Sequence, residues 1–111
     1  MQLGHAGRKG SATVPWTRGG ERPLSTDEGA WATIGPSPLA YDAGWPVPRV
    51  MDRATMEQVR DDHVRAVERA RAAGFDWIEL HMAHGYLLAS FLSPLSNRRE
   101  DEYGGDVDKR L

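Results

Sequence analysis

The sequence predicts an α/β fold, and two adjacent patterns carry that prediction. Apolar residues recur at spacings of three and four between positions 56 and 73, which indicates one face of a helix. Gly74 comes next, and glycine ends helices at positive φ without a Cβ clash. Residues 75–81, FDWIELH, are short, aromatic and β-branched, which is typical of a buried strand. A helix, one glycine and a strand in succession form an αβ unit.

The predicted helix has a start signal as well as a stripe. Asp52 can act as its N-cap, because its carboxylate accepts from a free backbone N–H and favours the positive end of the helix dipole. Most of the charged residues lie off the apolar stripe. The stripe consists of Met56, Val59, His63, Ala66, Val67, Ala70 and Ala73.

The first half of the chain has a different character. Residues 1–50 hold 8 of the 12 glycines and 6 of the 7 prolines, a density that predicts loop with short strands. One brief β-like run, residues 31–34, closes at Gly35-Pro36. We therefore expect one domain over residues 1–111, made of the loop-rich segment 1–50, a helical segment 51–74, and a segment 75–111 with a strand, a loop and the start of a further helix.

Composition excludes several classes of protein. The 14 basic and 16 acidic side chains give a net charge of −2 with no basic cluster, so nucleic acid is not an expected partner. No window approaches the roughly 18 consecutive apolar residues of a membrane span. Without cysteine there is neither a disulfide framework nor a thiolate metal site. A cytoplasmic location is the default expectation.

Polar side chains lie where the predicted strand ends. Alternation along a strand places Glu79 and His81 on one face and Leu80 on the other. In parallel α/β folds, ligands bind in the crevice beyond the carboxyl ends of the strands. His84 and Tyr86 follow in the adjoining loop. Three hydrogen-bond donors within six residues could converge on one small acceptor, either a carbonyl or an anion.

Other interpretations of the same residues stay open. Histidines such as His81 and His84 can be ordinary structural residues, and Tyr86 can be a half-buried aromatic with its hydroxyl in water. Zinc needs three or four protein ligands. The remaining histidines are His5 and His63, and His63 falls on the helix stripe, so no metal site is predicted.

A set of motifs, in order and spacing, resembles the Old Yellow Enzyme family, in particular its bacterial ene-reductase and xenobiotic-reductase branch (NADH:flavin oxidoreductase/NADH oxidase). The motifs cover nearly the whole chain. They are QLGHAGRKG at 2–10, PW at 15–16, GPSPLAY at 35–41, PVPR at 46–49, and AGFDWIELHMAHGYLLASFLSPLSNRREDEYGG at 73–105.

The resemblance implies a segment of a TIM (β/α)8 barrel, about strands 3–4 with the intervening long loop and helix 3. Residues 2–8 would be strand three and its loop, residues 52–73 helix three, and residues 75–81 strand four. FMN lies across the carboxyl ends of the strands in this family. A complete barrel normally has about 250 residues or more, so this chain holds roughly two βα units of it.

The resemblance also implies roles for four residues. Gln2 matches a glutamine that hydrogen-bonds the flavin pyrimidine edge. His81 and His84 match the pair that binds the substrate carbonyl, and Tyr86 matches a tyrosine that protonates the α-carbon in some members. The implied reaction is NAD(P)H-driven reduction of activated alkenes, with an enone-type small molecule as substrate.

Departures from the family pattern shape what we expect of the chain alone. Ala89-Ser90 replaces a polar pair found in relatives, a change that we expect to adjust the activity and not to abolish it. Strands that seat the flavin and its phosphate lie outside the 111 residues, so we expect the isolated chain to be an inactive fragment. The alternatives are complementation by another fragment, a homo-oligomer that rebuilds a barrel, or a non-enzymatic binding or metal module that uses His81 and His84.

Overall fold

The computed structural model describes residues 1–111 and shows helices and short strands joined by long loops. None of its helices is both long and apolar enough to cross a membrane. The regular elements are β1 (Gln2–Leu3), β2 (Ile34–Gly35), β3 (Arg49–Val50), α1 (Arg53–Ala72), β4 (Glu79–Leu80), α2 (Leu87–Leu92) and α3 (Val107–Arg110), with 3₁₀ turns at Gly7–Lys9 and Thr26–Glu28.

Strands β1 and β4 form a parallel ladder in which Gln2 lies opposite Glu79 and Leu3 opposite Leu80. The prediction of a buried strand over residues 75–81 is wrong in extent and in burial. Only β4 is paired, and both of its residues are exposed. A strand is hydrogen-bonded only as far as its partner extends. The partner of β4 is β1, which is two residues long and lies on one side of β4 only.

Strands β2 and β3 form a second parallel pair, with Ile34 opposite Arg49 and Gly35 opposite Val50. The β-like run predicted at 31–34 is therefore displaced toward its carboxyl end. Trp31 lies outside the ladder and is exposed. Pairing with β3, 15 residues further along, decides which residues are extended, and the local sequence carries no sign of that partner.

Helix α1 confirms the predicted helix and both of its signals. The Asp52 carboxylate accepts from the backbone N–H of Thr55 at 2.8 Å and from its hydroxyl at 2.6 Å. At the other end Gly74 has φ +87°. Burial along the helix is sparse, since only Val59 and Ala70 are buried.

The hydrophobic core is small. Met51, Val59 and Leu87 form its centre, and Ile34, Met56 and Phe91 pack partly buried around them. Beside this core, a groove of about 890 Å³ opens between α1, β4 and α2, with an apolar lining. The packing therefore leaves one side of α1 without a partner.

The loop after α2 is held by polar contacts. Buried Asn97 donates to the carbonyls of Phe91 (2.8 Å) and Tyr103 (2.7 Å). Arg99 donates to the carbonyls of Pro36 (3.1 Å) and Met51 (2.8 Å), so this loop is tied to β2 and to the start of α1.

Two charge pairs also involve this loop. Asp101 pairs with Arg99, and Glu102 pairs with Arg53 on α1. The Arg99 guanidinium also holds the pKa of the Asp101 carboxyl below its usual value. Gly105 has φ +78°, a turn conformation that glycine adopts at no steric cost, and α3 follows it.

Candidate functional site

His81 directly follows strand β4, and two hydrogen bonds fix its position. Its backbone N–H donates to the carbonyl of Leu3 at 2.7 Å, which continues the β1–β4 ladder. Its ring Nδ1 accepts from the backbone N–H of Ala83 at 3.2 Å. A neutral imidazole with an accepting Nδ1 carries its proton on Nε2. His81 can therefore act as a hydrogen-bond donor through Nε2.

A tight turn over residues 83–86 follows. The N–H of Tyr86 donates to the carbonyl of Ala83 at 3.2 Å. Both central residues have positive φ, +55° at His84 and +71° at Gly85, as in type I′ turns. The left-handed conformation is costly for a residue with a Cβ, and here it turns His84 back toward the end of β4.

The turn brings three rings together. The ring centroids of His81 and Tyr86 are 4.8 Å apart, those of His81 and His84 are 5.1 Å apart, and those of His84 and Tyr86 are 6.5 Å apart. All three pairs meet edge to face. His81 and Tyr86 are half-buried and His84 is exposed. The structure thus places the three predicted donors in one cluster, which we name the donor cluster.

Gly4 makes room for one member of this cluster. A Cβ built at Gly4 would lie 3.3 Å from the Cβ of His81, closer than most real Cβ contacts. The neighbouring strand therefore approaches the imidazole closely, and a side chain at position 4 would displace it.

Lys9 contacts the donor cluster, and the sequence did not predict this contact. Its Nζ donates to the carbonyl of His84 at 3.2 Å. The same Nζ lies 4.6 Å from the ring centroid of Tyr41 and 5.3 Å from that of Tyr86, within the range of cation–π attraction. A loop lysine 75 residues from its partner carries no local signal, so only the fold reveals this contact.

Gln2 lies beside the cluster on the neighbouring strand. Its Nε2 donates to the Glu79 carboxylate at 2.9 Å across the β1–β4 pair. Because side chains two apart share a strand face, Gln2, Glu79 and His81 are on the same side of this ladder. The fold therefore brings all of the predicted site residues into one region.

His5 is outside the donor cluster and has a structural contact. Its Nδ1 accepts from the N–H of Gly7 at 3.0 Å, and its carbonyl accepts from the N–H of Leu87 at 2.9 Å. Burial lowers the pKa of its imidazole below 6.5, and the charge of nearby His63 lowers it further. No group of three or more His, Cys, Asp or Glu side chains is arranged to hold a metal ion.

The apolar groove beside α1 does not include the donor cluster. The 890 Å³ groove is lined by Leu80, Met82, Leu87 and Phe91 among others, and by none of the three cluster rings. Strand alternation explains this separation, since Leu80 points away from the face that carries Glu79. The polar face and the apolar groove are therefore two sides of one strand.

Comparison with known proteins matches the whole chain to one family. The model of the NADH:flavin oxidoreductase / NADH oxidase family matches residues 1–111. A NADH:flavin oxidoreductase of Gibberella zeae is 45% identical over 114 residues, covering 100% of this chain and 27% of the relative. An NADPH dehydrogenase of Geobacillus thermodenitrificans is 44% identical over 110 residues, covering 99% and 27%. The chain thus spans about a quarter of the length of these relatives.

A solved structure agrees with this match. Morphinone reductase superposes with a TM-score of 0.68 at 28% identity, over 72% of this chain and 25% of its own. This likeness supports the α/β segment of a (β/α)8 barrel that the resemblance implies, in which β1 and β4 are adjacent parallel strands. The chain belongs to the NADH:flavin oxidoreductase / NADH oxidase family, that is, to the Old Yellow Enzymes.

Proposed function

We propose that this chain supplies the substrate-binding donors and one flavin contact of an FMN-dependent NAD(P)H oxidoreductase that reduces activated alkenes such as α,β-unsaturated carbonyls. The observation that carries the proposal is the donor cluster. His81, His84 and Tyr86 meet within 6.5 Å of one another at the carboxyl end of β4, where ligands bind in barrels of this kind.

The residues present fit FMN at its polar edge. Gln2 is exposed, is the first residue of β1 and shares a strand face with His81, so its amide can bind the pyrimidine edge while the imidazoles face a substrate. When bound, FMN supplies hydride chemistry, with NAD(P)H as the electron donor. The protein's contribution is position and polarity, and four residues of this chain provide part of it.

The two imidazoles donate hydrogen bonds to the substrate oxygen in this proposal. Negative charge grows on the carbonyl oxygen of an enone as its β-carbon is reduced, and fixed donors aimed at that oxygen stabilise it. The Nδ1 contact of His81 with Ala83 leaves Nε2–H for this task. The backbone of His84 is held from both sides, by the turn and by Lys9.

Tyr86 supplies a proton in this scheme. Its ring meets His81 at 4.8 Å, so a substrate oxygen held by the imidazoles would lie close to the phenol. A phenol is a suitable general acid for the α-carbon once negative charge has developed there. The expected substrate is therefore a small molecule with a carbonyl conjugated to an alkene.

The rest of the barrel is part of the proposal. Since the chain spans 27% of its relatives, we propose that flavin binding is completed by barrel strands beyond these 111 residues, by a complementing fragment or by further copies of the chain. A cytoplasmic location remains a prediction.

A chimera tests the function directly. Residues 1–111 replace the matching segment of the Geobacillus thermodenitrificans NADPH dehydrogenase, with which they are 44% identical. We expect the chimera to bind FMN, to oxidise NADPH with 2-cyclohexenone, and to bind the carbonyl mimic p-hydroxybenzaldehyde. Changing His81 and His84 to alanine should abolish binding of the mimic, whereas His63→Ala, on α1, should not. Undiminished binding in the double variant would refute the donor assignment.

A further inference from the structure

The contact between Gln2 and Glu79 is set by the backbone. The two residues lie directly opposite in the parallel ladder. Backbone hydrogen bonds on either side, from Glu79 N–H to the Met1 carbonyl (2.9 Å) and from His81 N–H to the Leu3 carbonyl (2.7 Å), hold the strands in this register. The 2.9 Å side-chain bond is therefore more than a chance meeting of two flexible surface groups.

The chemistry of the pair fixes which way the amide points. A glutamine amide has a donor end and an acceptor end, whereas an ionised carboxylate only accepts. The NH₂ end of Gln2 must therefore face Glu79, since the opposite orientation would bring two acceptors together. This leaves the Gln2 carbonyl oxygen, with one remaining N–H, turned away from the carboxylate.

We propose that Glu79 is a positioning residue that holds the Gln2 amide in one orientation, so that an acceptor oxygen beside one N–H faces the flavin pyrimidine edge. The inference rests on the proposed function, because it takes FMN as the ligand of Gln2. That edge of the flavin carries an N3–H donor between two carbonyl acceptors, so an acceptor next to a donor is its complement. A freely rotating amide would present this pattern in only one of its two orientations.

Nuclear magnetic resonance tests the contact without any cofactor. The chain has only three side-chain amides, those of Gln2, Gln58 and Asn97, so each NH₂ pair can be resolved. We expect a nuclear Overhauser effect between the Gln2 amide and the Glu79 side chain, and a displaced Gln2 signal. Glu79→Gln should move that signal toward the position of free glutamine, whereas the control Glu57→Gln, on α1, should leave it in place.

Two results in this first experiment would overturn the inference. One is the lack of the Overhauser effect in the unaltered chain, a measurement that holds even where a variant fails to fold. The other is a Gln2 signal that responds equally to both glutamate changes. The backbone amide signals of Glu79 and His81 report whether the β1–β4 ladder survives each substitution.

Flavin binding provides the second readout. FMN and its N3-methyl analogue, which lacks the N3–H donor, are titrated into the flavin-free chimera with the Geobacillus thermodenitrificans NADPH dehydrogenase and into its Glu79→Gln variant. We expect the chimera to favour FMN about tenfold, the equivalent of one hydrogen bond, and its Glu79→Gln variant to lose most of that preference. Equal preference in both proteins would overturn the positioning role. A chimera that binds neither flavin, while the chain shows the Gln2–Glu79 contact, would count against the proposed function and leave the fixed amide established.

Discussion

Replacing Gly7 by alanine should destabilise the fold through a specific backbone contact. Gly7 is buried and has φ +58°. A Cβ there would lie 3.0 Å from the Cα of Leu87, 3.1 Å from its nitrogen and 3.2 Å from its Cβ. Leu87 is the first residue of α2 and follows Tyr86, so the loop after β1 packs against the turn that carries the donor cluster.

Two effects add in this substitution. The left-handed conformation costs an alanine roughly 1–2 kcal/mol. Overlap with the backbone of Leu87 adds roughly 1–3 kcal/mol, because a helix start cannot move aside as a flexible side chain can. Gly29 provides a matched control, since it has φ +83° but an added Cβ would meet nothing within 4 Å. Gly29→Ala should therefore cost only the first amount.

Urea denaturation followed by tryptophan fluorescence measures both variants. We expect Gly7→Ala to lose roughly 1–3 kcal/mol more of the free energy of unfolding than Gly29→Ala, at an unchanged m-value. Loss of a cooperative transition in Gly7→Ala alone would agree with this expectation. An equal loss in the two variants would refute the steric argument, since backbone conformation would then account for the whole effect.

Four further predictions concern the donor cluster and the ionisable groups. Lys9→Met should lower the free energy of unfolding by roughly 0.5–1 kcal/mol, while Lys109→Met on exposed α3 leaves it unchanged; equal effects would contradict the contacts of Lys9. Asp52→Ala should lower the urea midpoint at pH 7. Hydrogen bonds from Thr55 lower the pKa of this carboxylate, so the difference in midpoint from the unaltered chain should shrink as the pH falls below 3.8. A difference that stays constant with pH would argue against the cap. The pKa of His5 in the folded chain lies below 6.5, so the unfolded chain binds this proton at a higher pH than the folded chain does, and stability should fall as the pH drops through 6.5. His5→Gln should remove that part of the loss in pH-dependent denaturation. A pH profile that the substitution leaves unaltered would contradict this prediction. In the chimera, Tyr86→Phe should slow alkene reduction and leave flavin reduction by NADPH nearly unchanged in stopped-flow measurements. Slowing of both half-reactions would make Tyr86 a packing or flavin-site residue.

Local signals account for what the sequence predicted correctly. Helix α1 is specified by contacts within a few residues, from the Asp52 cap to Gly74. The donor cluster is also local, because His81, His84 and Tyr86 lie within six residues and one turn folds them together. Such features depend on spacing, and spacing is visible in a single sequence.

Contacts between distant residues account for what the sequence did not show. The extent of β4 depends on the length of β1, 77 positions away, and its exposure depends on how few neighbours it has. Lys9 reaches His84 only because the same ladder brings the two loops together. Neither fact has a counterpart in local pattern or propensity.

The pairing of β1 with β4 also predicts an order in which the site assembles during folding. Joining residues 77 apart carries a loop-closure cost of about 4 kcal/mol from the logarithmic length dependence alone. The turn at residues 83–86 closes a loop of only a few residues, and α1 forms from local contacts. We therefore expect the histidine turn to form early in folding and Gln2 to join it later, so that the polar face is complete only once β1 has paired with β4.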